Sequence, residues 1–423
     1  MVVKADFAII NANELVTLRG TSNKPRIKEE MDDLGIINEG AVAVKDEKIV
    51  AVGTTKEVLD KLEKGFEVID ASGKLVTPGL VDPHVHLIFA GSREEELESM
   101  AVKGIPYLEI KARGGGMPTT LEKTGKAITE ELLKRTTQIL DTMLIHGTTT
   151  IEAKSGYEMT FHGEIRQLEI INILNKTHPI DLIPTFLAQG IPFEYENKVD
   201  QLTDEIVGKW IPEIAGRKLA EYCDVFCEKG YFNVEQSRRI LETGRKYGMK
   251  LRIHADWLVR SGGAKLGAEL GVVSADHLIF TPTEDIEALT SRGTIGVFLP
   301  TTPFCYLGTY AKAREIINRG LPVALATDLS AANMCESMQM MMTIAILQMK
   351  MTTEEALAAS TINAAHSIER AHEIGSLEEG KKADIVIFDA LNHKYFPYHY
   401  GVNLAEKVFK NGKLVAEEGK RIN

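Results

Sequence analysis

The run Leu80 to Leu87 carries Asp82-Pro-His84-Val-His86, two imidazoles two positions apart within an apolar stretch. On an extended strand residues i and i+2 project from one face, so both rings can reach a single cation. Taken alone, such a pair is more simply two buried histidines bonded to their neighbours. Three further residues shift that balance. His254 ends the run Leu251 to His254, His277 ends Val272 to His277, and Asp328 follows Val323 to Thr327. The remaining histidines, His146, His162, His178, His366, His372, His393 and His399, fall in helical or loop stretches.

Three imidazoles and a carboxylate suit Zn2+ or Fe2+ and leave a position open for water. Such an ion lowers the pKa of water and polarises a carbonyl, which is what attack on an unreactive amide or amidine carbon requires. A nearby carboxylate then takes the proton and passes it to the departing nitrogen, and Asp328 is the carrier that this pattern offers.

Side chains so far apart in sequence need a scaffold that gathers strand ends. Eight apolar runs are candidate strands: Leu80 to Leu87, Thr148 to Ala153, Leu182 to Leu187, Cys223 to Cys227, Leu251 to His254, Val272 to His277, Thr294 to Leu299 and Val323 to Thr327. Helical stretches at 3.6-residue spacing separate several of them, including Glu130 to Leu144, Glu235 to Lys246, Thr283 to Thr290 and Ala311 to Asn318. The alternation predicts a (β/α)8 barrel, an α/β fold whose active sites lie at the C-terminal strand ends. The methionine-rich run Met334 to Met351 reads as core filler in the helix after strand eight.

Outside the barrel, Phe7-Ala-Ile-Ile, Ala41-Val-Ala-Val, Lys48-Ile-Val-Ala-Val and Phe66-Glu-Val-Ile read as short strands. The far end repeats the style with Ala383-Asp-Ile-Val-Ile-Phe and Lys407-Val-Phe-Lys, then the turn pair Asn411-Gly412 before Lys413-Leu-Val. Residues 1–77 and 381–423 are therefore expected to join in one small β-sandwich domain, with the barrel spanning 78–380.

Of the 423 residues 44% are apolar and 26% charged, and no apolar run approaches the ~20 residues of a membrane span. The N-terminus lacks a basic segment followed by a cleavage site, so a cytoplasmic location is expected. A net charge of −11 without clustered lysine and arginine argues against nucleic acid and leaves a small molecule as the partner. Cys223, Cys227, Cys305 and Cys335 show no paired zinc spacing and read as reduced thiols, the first two sharing a strand face. Glu228, just past strand four, is the best candidate for a bridge to a second metal, with a salt-bridged surface glutamate as the simpler reading.

Two stretches, Pro78-Gly-Leu-Val-Asp-Pro-His-Val-His-Leu87 and Gly380-Lys-Lys-Ala-Asp-Ile-Val-Ile-Phe388, resemble the amidohydrolase superfamily. The chain is similar to the branch that opens the ring of 4-imidazolone-5-propanoate in histidine degradation. That similarity runs through Gly91-Ser-Arg-Glu94, Gly104-Ile-Pro-Tyr-Leu108, Gly114-Gly-Gly116, Lys154-Ser-Gly-Tyr157, Ser274-Ala-Asp-His-Leu278 and Pro397-Tyr-His-Tyr-Gly-Val-Asn403. The resemblance implies metal ligation by His84, His86, His254 and Asp328, with His277 beside the substrate and the attacking water. It implies that Arg93, Tyr107 and Tyr157 hold the substrate, Arg93 pairing with its carboxylate. It also implies a homodimer.

Three positions depart from the branch. Its fifth strand reads His-Ala-Asp-Glu, the glutamate shuttling protons to the ring, where this chain has His254-Ala-Asp-Trp257. After Thr185-Phe-Leu187 the branch carries Gly-Ala-His-Ala, where this chain has Ala188-Gln189-Gly190. After the metal aspartate it has Phe-Asn-Pro-Gly, against Leu329-Ser330-Ala-Ala here. Residues expected at the acid tail are kept and those expected at the ring are changed, which puts Gln189 and Trp257 against the ring. The leading expectation is hydrolysis of a five-membered cyclic amide or amidine bearing a carboxylate tail. A deaminase of a related heterocycle, told apart by ammonia release, and a non-catalytic barrel are the alternatives.

Overall fold

The computed structural model describes residues 3–105 and 107–422. Pro106 of the Gly104–Leu108 motif, together with Met1, Val2 and Asn423, lies outside them. Five strands precede the barrel: β1 (Phe7–Val16), β2 (Ile36–Lys45), β3 (Lys48–Thr54), β4 (Glu67–Asp70) and β5 (Leu75–Pro78). The barrel strands are β6 (Leu80–Val85), β7 (Thr148–Lys154), β8 (Asp181–Ala188), β9 (Tyr222–Cys227), β10 (Lys250–Ala255), β11 (Ser274–His277), β12 (Ile295–Phe298) and β13 (Val323–Leu325). After it come β14 (Ile385–Phe388), β15 (Ala405–Lys410), β16 (Lys413–Glu417) and β17 (Lys420–Arg421).

Strands β6 to β13 are parallel, and each pairs with the next in chain order. Apart from Asp181 and Lys250 at their starts, every residue in them is buried, as a parallel sheet covered on both faces requires. All eight expected strands are present. Several apolar runs extend one or two residues beyond the paired strand, because burial continues where the hydrogen-bond ladder has stopped. Closure is made at the C-terminal rim: a parallel bridge joins Val85 to Leu329, with His86 N–H donating to Leu329 O at 2.9 Å and Asp328 N–H to His84 O at 3.2 Å.

The covering helices bury one stripe each. Thr129–Ile145 turns Leu132, Ile139, Leu140, Met143 and Leu144 inward at three- and four-residue steps. Val234–Lys246 starts at a capping box between Asn233 and Gln236, worth about 1 kcal/mol. The methionine-rich run forms the helix Met338–Met349 and buries Met338, Met341, Met342 and Met349 in the core. Cys223 and Cys227 are free and buried, packed beside Gly244 and Gly263 of the covering helices.

The chain ends form one nine-stranded mixed sheet, β17-β16-β15-β14-β5-β1-β2-β3 with β4 beside β1. The sandwich expected from sequence thus takes the form of a single hydrogen-bonded sheet. The reason lies in β1, whose first half pairs with β4 and whose second half pairs with β5, while its pairing with β2 shifts register between Ile9 and Ala12. Strand β14 then docks antiparallel on β5, Ile385 opposite Pro78, which joins the two ends immediately before the barrel begins. Asn411 and Gly412 both have positive φ, 49° and 73°, as a two-residue β15–β16 hairpin turn demands.

Candidate metal centre and active site

His84 and His86 project from the end of β6 into the barrel mouth. The Nδ1 of His84 lies 2.6 Å from Asp276 Oδ2, so that ring donates there and presents the Nε2 lone pair to the other side. His84 Nε2 is 3.3 Å from His86 Nε2 and 3.6 Å from Asp328 Oδ1, while His86 Nε2 is 3.2 Å from the same oxygen. His254, near the end of β10, directs Nδ1 to both oxygens of Asp224 at 3.1–3.2 Å and leaves Nε2 buried without a partner. Its ring centroid is 4.5 Å from that of His84 and 5.5 Å from that of His86.

These atoms test whether a cation fits. Burial, reinforced by the positive charge of Lys154, holds His84 well below the usual imidazole range, and burial lowers His86 as well. With the Nδ1 of His84 and of His254 committed to carboxylates, the Nε2 atoms crowd toward one another and toward a carboxylate oxygen, an arrangement that repels itself unless a positive ion lies between. The donor set therefore fits a divalent metal ion, and His84, His86, His254 and Asp328 are the residues that would hold it.

Asp328 is held from several sides. Its backbone sits at φ 51°, a left-handed conformation that costs a non-glycine residue about 1 kcal/mol or more and persists only where surroundings enforce it. The enforcing contacts are the bond to His84 O, the Thr302 hydroxyl donating to Oδ2, and Asn333 Nδ2 donating to the carbonyls of Thr327 (2.8 Å) and Asp328 (3.2 Å). Asp82, two residues before the His-x-His pair, accepts the Thr327 hydroxyl at 2.5 Å and its N–H at 3.1 Å, fixing the end of β13 against β6. Burial works to raise the Asp328 carboxyl, but its contacts with His86, His277 and the Thr302 hydroxyl outweigh it and hold the group below the usual carboxylate range.

His277, the last residue of β11, also has positive φ, 77°. Its ring stacks on Trp257 with centroids 5.3 Å apart and planes 20° from parallel, and its Nδ1 is buried without a partner. Burial pushes its pKa down to about 3, so the ring is neutral at ordinary pH. Beneath the histidines lies a fully buried charge network: Lys154 bonds Glu152 (3.0 Å) and Asp224 (2.8 Å), and Arg252 reaches Asp276 at 3.3 Å. Asp224 and Asp276, which orient His254 and His84, are thereby fixed themselves.

One cavity joins this cluster to Arg93, Tyr107, Tyr157, Gln189 and Trp257, bringing together every residue the sequence assigns to the substrate. Arg93 is not a solvated surface charge: it is 9% exposed, donating from Nε (2.9 Å) and Nη2 (2.6 Å) to Glu96 Oε2, with its guanidinium 5.8 Å from the Tyr107 ring centroid. Gln189 Oε1 is buried without a partner. Ser330, one of the three departures noted in the sequence, lines the cavity as well; Phe226, Tyr306 and Met117 also line it and escaped the sequence reading. Phe226 was within reach, since strand alternation on β9 puts it on the same face as Asp224. Tyr306 ends the short helix Thr301–Tyr306, and no local pattern marks it.

Glu228 differs from both readings made of it. It is 2% exposed, has no salt bridge among the described residues, and gives Oε2 to the N–H groups of Trp257 (3.0 Å) and Leu258 (2.9 Å) and Oε1 to that of Lys229 (2.8 Å). Asp256 is likewise structural, its carboxylate accepting from Ser261, Gly262 and Thr281.

Residues 75–415 match the model of the amidohydrolase family. The imidazolonepropionase of Alkaliphilus metalliredigens (strain QYMF) is 48% identical over 421 residues, covering 99% of each chain. That of Geobacillus kaustophilus (strain HTA426) is 48% identical over 415 residues, covering 97% of each. Among solved structures, a zinc-bound adenosine deaminase from Xanthomonas campestris superposes with a TM-score of 0.73 at 20% identity, over all of this chain and 95% of the other. A triazine hydrolase from Arthobacter aurescens gives 0.73 at 17% identity, over 98% and 96%. At such identities the superpositions speak for the barrel fold alone. Among the described residues no helix is long and apolar enough to cross a membrane. The family match over most of the chain, and relatives identical at nearly half of all positions, establish that the chain belongs to the amidohydrolase family, as a hydrolase of carbon–nitrogen bonds in cyclic amides.

Proposed function

We propose that the protein opens the ring of 4-imidazolone-5-propanoate, adding water across a ring C–N bond to give N-formimino-glutamate. The observation that carries this reading is a buried arginine in the same cavity as the metal-donor cluster. An anionic tail and a polarisable ring carbonyl are what such a pair of features accepts. The names borne by the relatives at 48% identity support the same ring.

In this reading His84, His86, His254 and Asp328 hold one Zn2+ or Fe2+ ion, which when bound supplies Lewis acidity for the carbonyl and the water. Asp328 takes the proton of the attacking water and returns it to the ring nitrogen as the C–N bond breaks. Neutral His277 orients the water and stabilises the developing oxyanion. Arg93 binds the carboxylate through the guanidinium donors that Glu96 leaves over, and Tyr107 and Tyr157 complete the tail site. Trp257 and Gln189 face the ring, Trp257 as a flat wall. A cytoplasmic homodimer, with residues 1–77 and 381–423 as the smaller domain, belongs to the same reading; its support is the resemblance and the joining of both chain ends in one sheet.

The test is product analysis with imidazolonepropanoate. Ring opening without free ammonia is the expected result. Stoichiometric ammonia from an aminated heterocycle, with no ring opening, would favour a deaminase, a second reading motivated by Trp257 standing where a proton-shuttling acid is expected.

Arg93→Ala removes binding that is largely uniform between ground and transition states, because the tail lies away from the reacting carbon. Charge-assisted bonds of about 1.5–3 kcal/mol imply that KM rises roughly ten- to a hundredfold while kcat changes little. Steady-state kinetics check this. A fall in kcat at unchanged KM would place Arg93 in the chemistry instead.

A further inference from the structure

Glu228 stands just beyond β9 with both carboxylate oxygens committed to backbone N–H groups, and it does not line the cavity. It is therefore in no position to replace the acid missing at Trp257. What it touches is the backbone of the segment that carries Trp257. Apart from the two bonds to Glu228, no hydrogen bond is made to the backbone of Trp257 or Leu258 among the described residues. The Asp256 carboxylate, by contrast, anchors the later part of the loop at Ser261 and Gly262 and does not reach Trp257.

The Trp257 indole stacks on His277 and packs against Tyr306 (5.6 Å), Phe226 (5.7 Å) and Tyr107 (6.1 Å), so one ring borders both the metal cluster and the tail site. The indole itself is only half buried, and ring contacts alone leave its backbone free to swing. A carboxylate that accepts two successive N–H groups supplies the missing constraint, since such charge-assisted bonds are about twice as strong as neutral ones.

We infer that Glu228 is a positioning residue that locks Trp257 over His277, and thereby sets the wall against which a flat heterocyclic substrate lies. A glutamate at the mouth of strand four is thus spent on the shape of the pocket. The inference rests on the reading of this cavity as the ring-binding pocket, and the test separates the two.

Two measurements need no substrate. In the metal-loaded wild type, hydrogen exchange at the amides of Trp257 and Leu258 is expected to be slow, within about tenfold of the barrel-strand amides; exchange as fast as at exposed loop amides overturns the lock. The chain has two tryptophans, so a Trp210→Phe background isolates Trp257 fluorescence. There Glu228→Ala, which removes the oxygen that accepts both N–H groups, is expected to raise acrylamide quenching about twofold or more. Unchanged quenching overturns the proposal.

Kinetics supply the coupling. Glu228→Ala is expected to raise KM about fivefold with a smaller change in kcat, and to add nothing once Trp257 is alanine. An equal rise in both backgrounds shows that Glu228 acts through the fold at large and overturns the lock. If Trp257→Ala alone leaves KM unchanged while the exchange and quenching results hold, the lock stands and the ring-pocket reading fails.

Discussion

Asp328→Asn is expected to lower kcat by about a thousandfold or more while the protein remains folded and retains part of its metal. Asparagine is nearly isosteric with aspartate, and its carbonyl oxygen still accepts the Thr302 hydroxyl, so the left-handed backbone at this position keeps its supports. It has no negative charge and cannot take a proton near neutrality. General acid–base groups contribute about 10²–10⁴-fold. Here one carboxylate serves twice, as acceptor from water and donor to nitrogen, because Trp257 provides an indole N–H and no titratable group. The three imidazoles remain to hold an ion at reduced affinity. The measurement is kcat at matched metal occupancy, established by elemental analysis of the assayed samples. Appreciable turnover in metal-loaded Asp328→Asn would end the assignment.

Removing the metal is expected to have the next largest effect, on activity and on stability together. Elemental analysis of gently purified protein should find about one divalent ion per chain, because the donors described make one first shell and Glu228 is bound to backbone. Dialysis against a chelator should abolish turnover, and one equivalent of Zn2+ or Fe2+ per chain should restore it. The thermal midpoint should fall by several degrees on removal, since an ion at a thousand times its Kd stabilises the native state by about 4 kcal/mol. The sign follows from the site: without the ion, buried lone pairs of His84, His86 and His254 face one another and the Asp328 carboxylate without compensation. Two ions per chain, or an apoprotein with unchanged activity, would reject the single-metal centre.

The barrel strands and the cluster of His and Asp side chains at their mouths were legible in the sequence because both depend on short-range regularities. Strand alternation alone puts His84 and His86 on one face, and a run of buried β-formers ending in His or Asp marks a strand mouth wherever it occurs. What escaped was set by distant partners. Whether Arg93 is solvated depends on Glu96 and on Tyr107, and whether Glu228 takes a metal, a cation or backbone N–H groups depends on a loop about thirty residues further on. The small sheet shows the same limit. Its strands were visible individually, but that β1 serves β4 with its first half and β5 with its second has no signature in local composition.

The closing contact between β6 and the end of β13 has a bearing on how the molecule is made. Asp82 and Thr327 are 245 residues apart, and Asp328 meets the two histidines only when that gap has been synthesised. At about 5–20 residues per second the ribosome exposes His84 and His86 for tens of seconds before their carboxylate partner exists, and β14 to β17, which complete the sheet ahead of the barrel, emerge later still. The nascent chain therefore displays a two-histidine metal grip with no ring around it, and any ion captured then is held at the affinity of an open peptide. With Asp328 as a ligand, tight retention would begin only when the last barrel strand docks, and metal uptake would then be a clock for the completion of folding. Pulse-labelled chains taken before and after residue 328 leaves the exit tunnel should differ sharply in how fast they surrender zinc to a chelator.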